Sequence, residues 1–455
     1  MSVEVKKLFG TDGIRGVANQ WPLTSNFVVR VGQAIGQIIA HESGKPVVII
    51  GRDTRLSGEM LESALASGLM SQGVDTLHLG VITTPGIAYL TTKLGAPLGI
   101  VISASHNPYE DNGIKVFGPD GFKISNEVEG EIERIAQSET GSNSAPNHSS
   151  LGRRIEGQSH RQDYLAYLVR SAGDPDLLQG TRVVVDCANG ATSELAPQLF
   201  THLGAEVMAM HNEPDGFNIN SSYEYLEPRL VRQIVLEEGA HVGVAFDGDG
   251  DRVILVDEKG NYMDGDCIMA ILAREMQAQG TLRHDAVIGT VMSNVGLELS
   301  LREIGVKLER APVGDRYVSQ RMVEGGFTLG GEQAGHIIIF GYDHSAGDGL
   351  FTALRVLKTL VDHRPQLLSD LAGCFHKYPQ VLINVPVSRK PPLEEIPEVQ
   401  AKVAKAQAAL GKAGRIVLRY SGTENVARVM IEGEDQEVIE REAQDIAGVI
   451  AEVIG

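Results

Sequence analysis

Three short β-branched runs, each closing on a polar loop and leading into a helical pattern, constrain this chain more than any other feature. Val47–Ile50 runs into Gly51-Arg-Asp-Thr-Arg-Leu-Ser-Gly58, after which Leu61, Leu65 and Leu69 recur at i, i+4 and i+8. Arg182–Val185 runs into Asp186-Cys-Ala-Asn-Gly190, with Leu195 and Leu199 beyond. Ala286–Gly289 runs into Thr290-Val-Met-Ser-Asn294 before a further helical pattern. A brief apolar run bounded by turn residues reads as a buried strand, and four-residue spacing puts leucines on one helix face. Such units occur in every doubly wound fold; three of them, far apart, point to three related α/β domains. The 52 glycines and the 5% aromatic content fit many tight turns between short elements.

The length of 455 residues suggests about three domains, with two or four as neighbours. Ser138–Ser150 holds five serines and two asparagines and reads as the linker from the first domain to the second. The tail has a different pattern. Val381–Val387, Arg415–Tyr420 and Ala427–Glu432 read as strands, Val399–Leu410 and Val438–Ile454 as helices, together a compact α+β unit.

Hydrophobic residues at 42% and charged residues at 22% exclude a mostly disordered chain. The longest apolar stretches, such as Ile337–Phe340, fall far short of the roughly 20 residues of a membrane span. Met1-Ser-Val-Glu-Val-Lys-Lys has no apolar core for a secretory signal. The net charge of −19 repels phosphate backbones, which argues against nucleic acid but not against a small anion met by a local basic cluster. Cys187, Cys267 and Cys374 are odd in number and widely spaced, so they read as reduced core cysteines. A cytoplasmic protein without membrane or nucleic-acid partners is the expectation.

Four loops carry chemistry. Ser103-Ala-Ser-His-Asn-Pro108 follows the buried run Leu98–Ile102, which puts Ser105 and His106 where open α/β sheets hold ligands. A hydroxyl there can act as nucleophile or carry a transferable phosphate, although the loop alone also reads as a polar turn. Asp111-Asn-Gly-Ile-Lys115 adds a lysine, which alone reads as a solvated surface residue. Asp247-Gly-Asp-Gly-Asp-Arg252 follows Val242–Phe246, and its carboxylates at i, i+2 and i+4 can curl around one hard cation. An EF-hand is excluded, since Arg252 stands where glycine is needed and Val253–Val256 reads as a strand. An open Mg²⁺ site completed by a phosphoryl oxygen fits better.

The third loop, Gly330-Gly-Glu-Gln-Ala-Gly-His336, offers Glu332 to sugar hydroxyls and His336 to a substrate or phosphate; a buried, satisfied histidine is the competing reading. The fourth, Arg419-Tyr-Ser-Gly-Thr-Glu-Asn425 with Arg428 after it, has the composition of a phosphate cradle, or of an ordinary hairpin turn. Together the loops form one coherent site, to which the basic residues Arg15, Arg52, Lys115, Arg252, Arg419 and Arg428 are expected to belong.

These residues resemble the α-D-phosphohexomutases, and among them the bacterial phosphoglucosamine mutases most closely. The resemblance runs through Phe9-Gly-Thr-Asp-Gly-Ile-Arg-Gly16, Gly51–Arg55, Ile102–Pro108, Asp111–Lys115, Asp247–Arg252, Gly331–His336 and Arg419–Thr423, in family order over nearly the whole chain. It implies three related mixed-sheet α/β domains plus a C-terminal α+β phosphate-binding domain, at 1–150, 151–253, 254–370 and 371–455. It implies that Ser105 is the phosphoserine and that Asp247, Asp249 and Asp251 hold one Mg²⁺ together with its phosphoryl group. Arg15, His106, Lys115 and Arg252 would support phosphoryl transfer. Glu332 would contact sugar hydroxyls, with His336 beside it, and Arg419, Ser421, Gly422, Thr423 and Arg428 would hold the non-reacting phosphate. Homodimers are common in the group.

The implied reaction interconverts glucosamine 6-phosphate and glucosamine 1-phosphate through a sugar 1,6-bisphosphate, which also acts as activator, and so supplies UDP-N-acetylglucosamine and cell-wall synthesis. Lys115 is the expected general base, on the argument that positive neighbours lower a lysine pKa. Two departures bear on sugar preference. Ala334 stands where the family usually has Ser, a loss of about 0.5–1.5 kcal/mol if nothing replaces the hydroxyl, and Asn425 stands where Pro is more usual. The alternatives are a phosphoglucomutase/phosphomannomutase of the same family, a metal-dependent phosphatase using the same serine and aspartates, and a non-catalytic sugar-phosphate sensor, which would be expected to lack Ser105 or a metal aspartate.

Overall fold

In the computed structural model each of the three β-branched runs is the first strand of a sheet frame, flanked on both sides by later strands. The structure describes residues 7–39, 45–138, 148–221, 226–342, 345–411, 414–421 and 425–455. The first sheet contains β1 (Phe9–Gly10), β2 (Gly13–Val17), β3 (Val47–Arg52), β4 (Asp75–Val81), β5 (Gly99–Ile102), β6 (Asp111–Phe117) and β7 (Arg154–Glu156), in the order β1-β2-β6-β5-β3-β4-β7. The second contains β8 (Arg182–Asp186), β9 (Glu206–Met210), β10 (Val242–Phe246), β11 (Val253–Asp257) and β12 (Tyr262–Met263), in the order β12-β11-β10-β8-β9. The third contains β13 (Ala286–Thr290), β14 (Lys307–Ala311), β15 (Leu329–Gly331) and β16 (Ile337–Ile339), in the order β14-β13-β15-β16.

One frame recurs in all three. A first strand lies between a second and a third that run parallel to it, and a fourth runs antiparallel to the third. The sets are β4-β3-β5-β6, β9-β8-β10-β11 and β14-β13-β15-β16. The tail forms a separate antiparallel sheet, β17 (Gln380–Pro386), β18 (Arg415–Tyr420) and β19 (Val426–Glu432), in the order β17-β19-β18, with helices Pro397–Leu410 and Gln436–Ile454. This is the expected α/β plan with a C-terminal α+β unit.

Two unit borders differ from those expected. Arg154–Glu156, assigned from sequence to the second unit, pairs with the open edge of β4 through Thr76↔Arg154 and His78↔Glu156, so it extends the first sheet. β11 and β12 lie at or beyond residue 253 yet complete the second sheet, because β11 pairs along all of β10. Of the expected linker, residues 139–147 lie outside the described residues.

Strand alternation divides the cores. On β3, Val48 and Ile50 face a cluster shared with Leu61, Leu65 and Leu69, whereas Ile49 faces the opposite one. That opposite cluster is continuous through Val183 and Val185 of the second sheet to Val287 and Leu329 of the third. The tail has its own core around Val399, Val429, Ile439 and Ile446. Three units are therefore welded by shared apolar burial, while the fourth is a body apart, joined through polar contacts described below. No helix among the described residues is long and apolar enough to cross a membrane. Cys187, Cys267 and Cys374 are free, the first two buried.

Candidate functional site

Ser105, the aspartate triplet and Glu332 all occupy the same topological position. Each lies in the loop from the third to the fourth strand of its frame: 103–110 between β5 and β6, 247–252 between β10 and β11, and 332–336 between β15 and β16. Parallel strands that end together deliver their loops to one edge, where ligands sit in such sheets.

Ser105 is buried and has φ of 54°, in the left-handed region. A non-glycine residue held there is strained and marks a constrained turn. Its amide donates to Ser103 Oγ at 2.9 Å, and its Oγ donates to Asp247 Oδ2 at 2.7 Å with His106 Nδ1 at 3.3 Å.

Asp247, Asp249 and Asp251 are all buried, with one oxygen of each lying within 4.8 Å of the others. The glycines between them have separate reasons. A Cβ on Gly248 would sit 2.6 Å from the Ser105 carbonyl oxygen, and Gly250 has φ of +71°. Burial, and then the charges of Asp251 and Asp249, push the Asp247 carboxyl well above its ordinary range. Asp249 Oδ1 and Asp251 Oδ1 are buried without a hydrogen-bond partner. Oxygen-only donors, mutual repulsion and two orphaned oxygens fit a hard divalent cation such as Mg²⁺. Glu258, the twelfth position of the excluded EF-hand, instead accepts from the amide and hydroxyl of Ser369.

Lys115 corrects the sequence argument. Its ammonium is fully buried, 3.0 Å from Asp12 Oδ2, 2.8 Å from Asp249 Oδ2 and 3.5 Å from Asp251 Oδ2. Burial alone would lower its pKa, but the charges of Asp12, Asp249 and Asp251 outweigh burial and hold it well above the usual lysine value. Its nearest charges are carboxylates, not the cations on which the general-base expectation rests. His106 behaves in the opposite way. Burial first, then Arg252 and Arg15, push its pKa down to about 4, so it is neutral at pH 7. His336 is buried with Nδ1 3.6 Å from Asp251 Oδ2; burial opposes its charge, but Asp251 raises its pKa to about 9.

Arg15 pairs with Asp12 and reaches Asn107 Oδ1 at 3.5 Å. Arg252 donates its amide to Asp247 Oδ1 at 3.2 Å and places Nε 3.7 Å from Asp251 Oδ1. Arg52, expected in the site, is engaged elsewhere: it donates to Glu59 at 2.8 Å and Glu62 at 3.0 Å. Glu332 accepts the Gly314 amide at 2.9 Å. Ala334, His106 and Arg252 share the wall of a cavity of about 500 Å³ with Glu227. A second cavity of about 530 Å³ reaches Asp251 and His336.

In the C-terminal sheet Arg419 and Arg428 are directly opposed across β18 and β19. Two like charges side by side are unfavourable unless an anion joins them. Burial and Arg428 depress the Arg419 pKa. Ser421 follows, its amide donating to Val426 O at 2.9 Å and its carbonyl accepting from Lys390 at 3.1 Å. Gly422 and Thr423 lie outside the described residues. This sheet seats on the loop after β13, where Arg415 Nη1 donates to Ser293 O at 2.7 Å and Glu432 accepts from the Val295 amide at 3.2 Å.

Sequence reasoning missed several residues. Asp12 joins Arg15, Lys115 and Lys123, and Lys123 pairs in turn with Asp315 of the third unit. Asp53 and Arg55 form a buried ion pair at 2.9 Å beneath the Ser105 loop. The only signal for them was their place inside motifs already singled out, Gly-Thr-Asp-Gly-Ile-Arg and Gly-Arg-Asp-Thr-Arg.

Comparison with known proteins agrees with this arrangement. Residues 6–142, 162–260 and 264–378 match the models of phosphoglucomutase/phosphomannomutase alpha/beta/alpha domains I, II and III, and residues 382–449 match the C-terminal domain. A phosphoglucosamine mutase of Syntrophus aciditrophicus is 45% identical over 450 residues, covering 99% of this chain and 100% of that protein. One from Chlamydia trachomatis serovar D is 45% identical over 456 residues, 100% and 99% of the two chains. Among solved structures, a phosphoglucomutase/phosphomannomutase family protein of Burkholderia thailandensis superposes with a TM-score of 0.78 at 25% identity, over 98% and 97% of the chains. The Aspergillus fumigatus N-acetylphosphoglucosamine mutase in complex with GlcNAc-6P and magnesium shares the fold, with a TM-score of 0.66 at 16% identity over 98% and 96%.

Proposed function

The chain belongs to the phosphoglucomutase/phosphomannomutase family of phosphohexomutases, and from that premise we propose that it interconverts glucosamine 6-phosphate and glucosamine 1-phosphate through a phosphorylated Ser105 and a sugar 1,6-bisphosphate. The observation that carries the reading is the 2.7 Å contact of Ser105 Oγ with Asp247, which sets a hydroxyl held in a strained turn against a buried triplet of carboxylates. The amino-sugar assignment rests on the full-length likeness to relatives named phosphoglucosamine mutase.

In the proposed cycle the bond from phosphorus to Ser105 Oγ breaks as a bond to a sugar hydroxyl oxygen forms. The bisphosphate then reorients, and Ser105 Oγ takes the other phosphoryl group. Bound at Asp247, Asp249 and Asp251, Mg²⁺ would offset negative charge on the transferred group. Each transfer removes one proton from the attacking oxygen and adds one to the departing oxygen: the sugar hydroxyl loses its proton as Ser105 Oγ gains one, and the second transfer reverses this, with His106, 3.3 Å from Oγ, the group beside the serine end. Lys115, Arg15 and Arg252 contribute positive charge around the loose transition state, which asks for positioning and electrostatics more than for strong base catalysis. His336 enters as a cation. Glu332, held by the Gly314 amide, reads sugar hydroxyls, and Arg419, Arg428 and Ser421 hold the phosphate that is not reacting. Glucosamine 1-phosphate made this way would supply UDP-N-acetylglucosamine and cell-wall synthesis.

The test is kcat/KM for the 6-phosphates of glucosamine, glucose and mannose, measured side by side with Mg²⁺ and a trace of the matching bisphosphate. The expected result is a clear preference for glucosamine phosphate with no release of inorganic phosphate. Equal turnover of glucose or mannose phosphate would refute the amino-sugar assignment, and phosphate release matching substrate loss would replace the mutase by a phosphatase.

A further inference from the structure

The Ser105 loop is gripped by two side chains, Arg55 within the first unit and Asn220 in the wall of the cavity that His106, Arg252 and Ala334 also line. Arg55 is fully buried, anchored on Asp53, and donates to the carbonyl oxygens of Ser105 at 2.9 Å, Asn107 at 2.8 Å and Asp111 at 3.0 Å, and also to that of Pro108. Asn220 comes from the second unit. Its Nδ2 donates to the same Ser105 carbonyl at 2.8 Å and the same Asn107 carbonyl at 2.9 Å. Asn220 itself has φ of 52°, and its amide donates to Ala188 O at 2.9 Å, so it rests on the loop that follows β8. A Cβ on Gly248 would meet both the Ser105 carbonyl and Asn220 Nδ2, so the amide is wedged where the serine loop and the aspartate loop come closest.

We propose that Asn220 is a positioning residue for phosphoryl transfer, and that with Arg55 it holds Ser105 in its left-handed conformation by occupying the Ser105 and Asn107 carbonyls. The inference rests on the reading of Ser105 as the phosphoryl carrier. The physical need is specific. Ser105 must receive and give up a dianionic group within one turnover, and a serine free to leave φ of 54° would relax to an ordinary turn and carry Oγ away from Asp247. The donors also engage carbonyl dipoles that would otherwise be free to turn toward the phosphoryl group. Arg55 supplies this from within the first unit. Asn220 makes it depend on the second unit, which also carries the aspartates, so the two halves of the transfer site are registered by one amide.

Asn220→Gly tests this. Glycine keeps the left-handed backbone and removes only the amide. The expected result is kcat lower by at least about ten-fold, KM for the sugar phosphate within about two-fold of wild type, and slower single-turnover transfer from phosphorylated Ser105. Asn220→Asp is shape-matched, tolerates the same φ and replaces the donor by an acceptor; it is expected to be the more impaired of the two, with a melting temperature showing that it folds. If Asn220→Gly keeps wild-type kcat while wild-type Ser105 is phosphorylated by mass spectrometry and Ser105→Ala is inactive, the positioning role is overturned and the mutase reading stands. If Ser105→Ala retains turnover, the carrier reading fails first and takes the positioning role with it.

Discussion

Replacing Gly248 by alanine adds one methyl group between the two loops that the proposed phosphoryl transfer brings together. Its Cβ would lie 2.6 Å from the Ser105 carbonyl oxygen, 2.8 Å from Asn220 Nδ2 and 2.9 Å from Ile219 Cδ1, whereas ordinary contact begins near 3.4 Å. Asn220 is struck by the same methyl and Arg55 keeps its hold on the carbonyl, so the loops must separate by about 0.8 Å. The 2.7 Å contact between Ser105 Oγ and Asp247 would then open to about 3.5 Å, beyond the reach of an O–H···O bond. Misplacement on that scale costs about 10²-fold in rate, or about 3 kcal/mol of transition-state stabilisation. Overpacking adds a stability loss of about 1–3 kcal/mol. The assay is kcat/KM at saturating Mg²⁺, with a denaturant melt on the same preparation. Gly448→Ala is the control: nothing lies within 4 Å of its added Cβ in the helix Gln436–Ile454, so it should gain about 0.4–1 kcal/mol and leave activity unchanged. Gly248→Ala with kcat/KM within about three-fold of wild type would refute the close-approach argument.

Binding of Mg²⁺ should release a number of protons that grows as pH is lowered, because burial and its neighbours hold the Asp247 carboxyl above its ordinary range and a metal ligand must be deprotonated. Calorimetry in buffers of different ionisation enthalpy reads that number directly, and an enthalpy that stays buffer-independent as pH is lowered contradicts the prediction. Arg428→Ala should raise KM about ten-fold or more with kcat within about three-fold, since a charge-assisted pair to a bound phosphate contributes about 1.5–3 kcal/mol without touching the transferred group. A selective fall in kcat would move Arg428 to the reacting end. At the seat of the C-terminal unit, burial raises the Glu432 pKa to about 7 against the opposing charges of Arg415 and Arg310. Its protonated form therefore favours the folded chain. The contribution is complete below the unfolded value near 4.5 and is lost as pH rises through about 7, an effect of about 3 kcal/mol. Unfolding free energies at pH 5 and pH 8 should show that fall, and Glu432→Gln should reduce it, leaving the part due to Asp266, which burial and Asp264 push to about 8. A variant that keeps the full slope places the titration elsewhere.

The strands were legible where burial on both faces forces an unbroken apolar run. Val242–Phe246 is such a case, and every one of its residues is buried. β7 was not, because Arg154-Ile-Glu156 is exposed along its length and joins the first sheet only through the backbone edge of β4. At the candidate site, residue types at strand ends were enough to single out Ser105, the aspartates and Glu332, which the fold places in equivalent loops. Charges were harder. Lys115 and Arg15 stand among basic residues in the motifs, which suggested a lysine made acidic by cations; folding instead brings Asp12, Asp249 and Asp251 to within 3.5 Å of its nitrogen. Composition reports which charges exist but not which sign lies nearest. Arg52 and Arg55 make the same point inside one motif: the first is bound to glutamates on the next helix, the second is turned under the serine loop.

The threefold frame suggests why three loops of such different chemistry can cooperate. Each is the third-to-fourth-strand loop of its own sheet, and the three sheets share one apolar core, so displacing one loop relative to another requires disturbing packed side chains such as Val183, Val287 and Leu329. Hydrogen-bond precision between Ser105 and Asp247 follows from that rigidity. The arginine pair on β18 and β19 belongs to a body with a separate core, held to the third unit by Arg415 and Glu432 through hydrogen bonds to a loop. On the proposed cycle that division of labour is required. The transferred phosphoryl needs fixed partners, whereas the other phosphate must be released, turned and grasped again, and opening of the separately cored unit would leave the apolar core shared by the three sheets undisturbed.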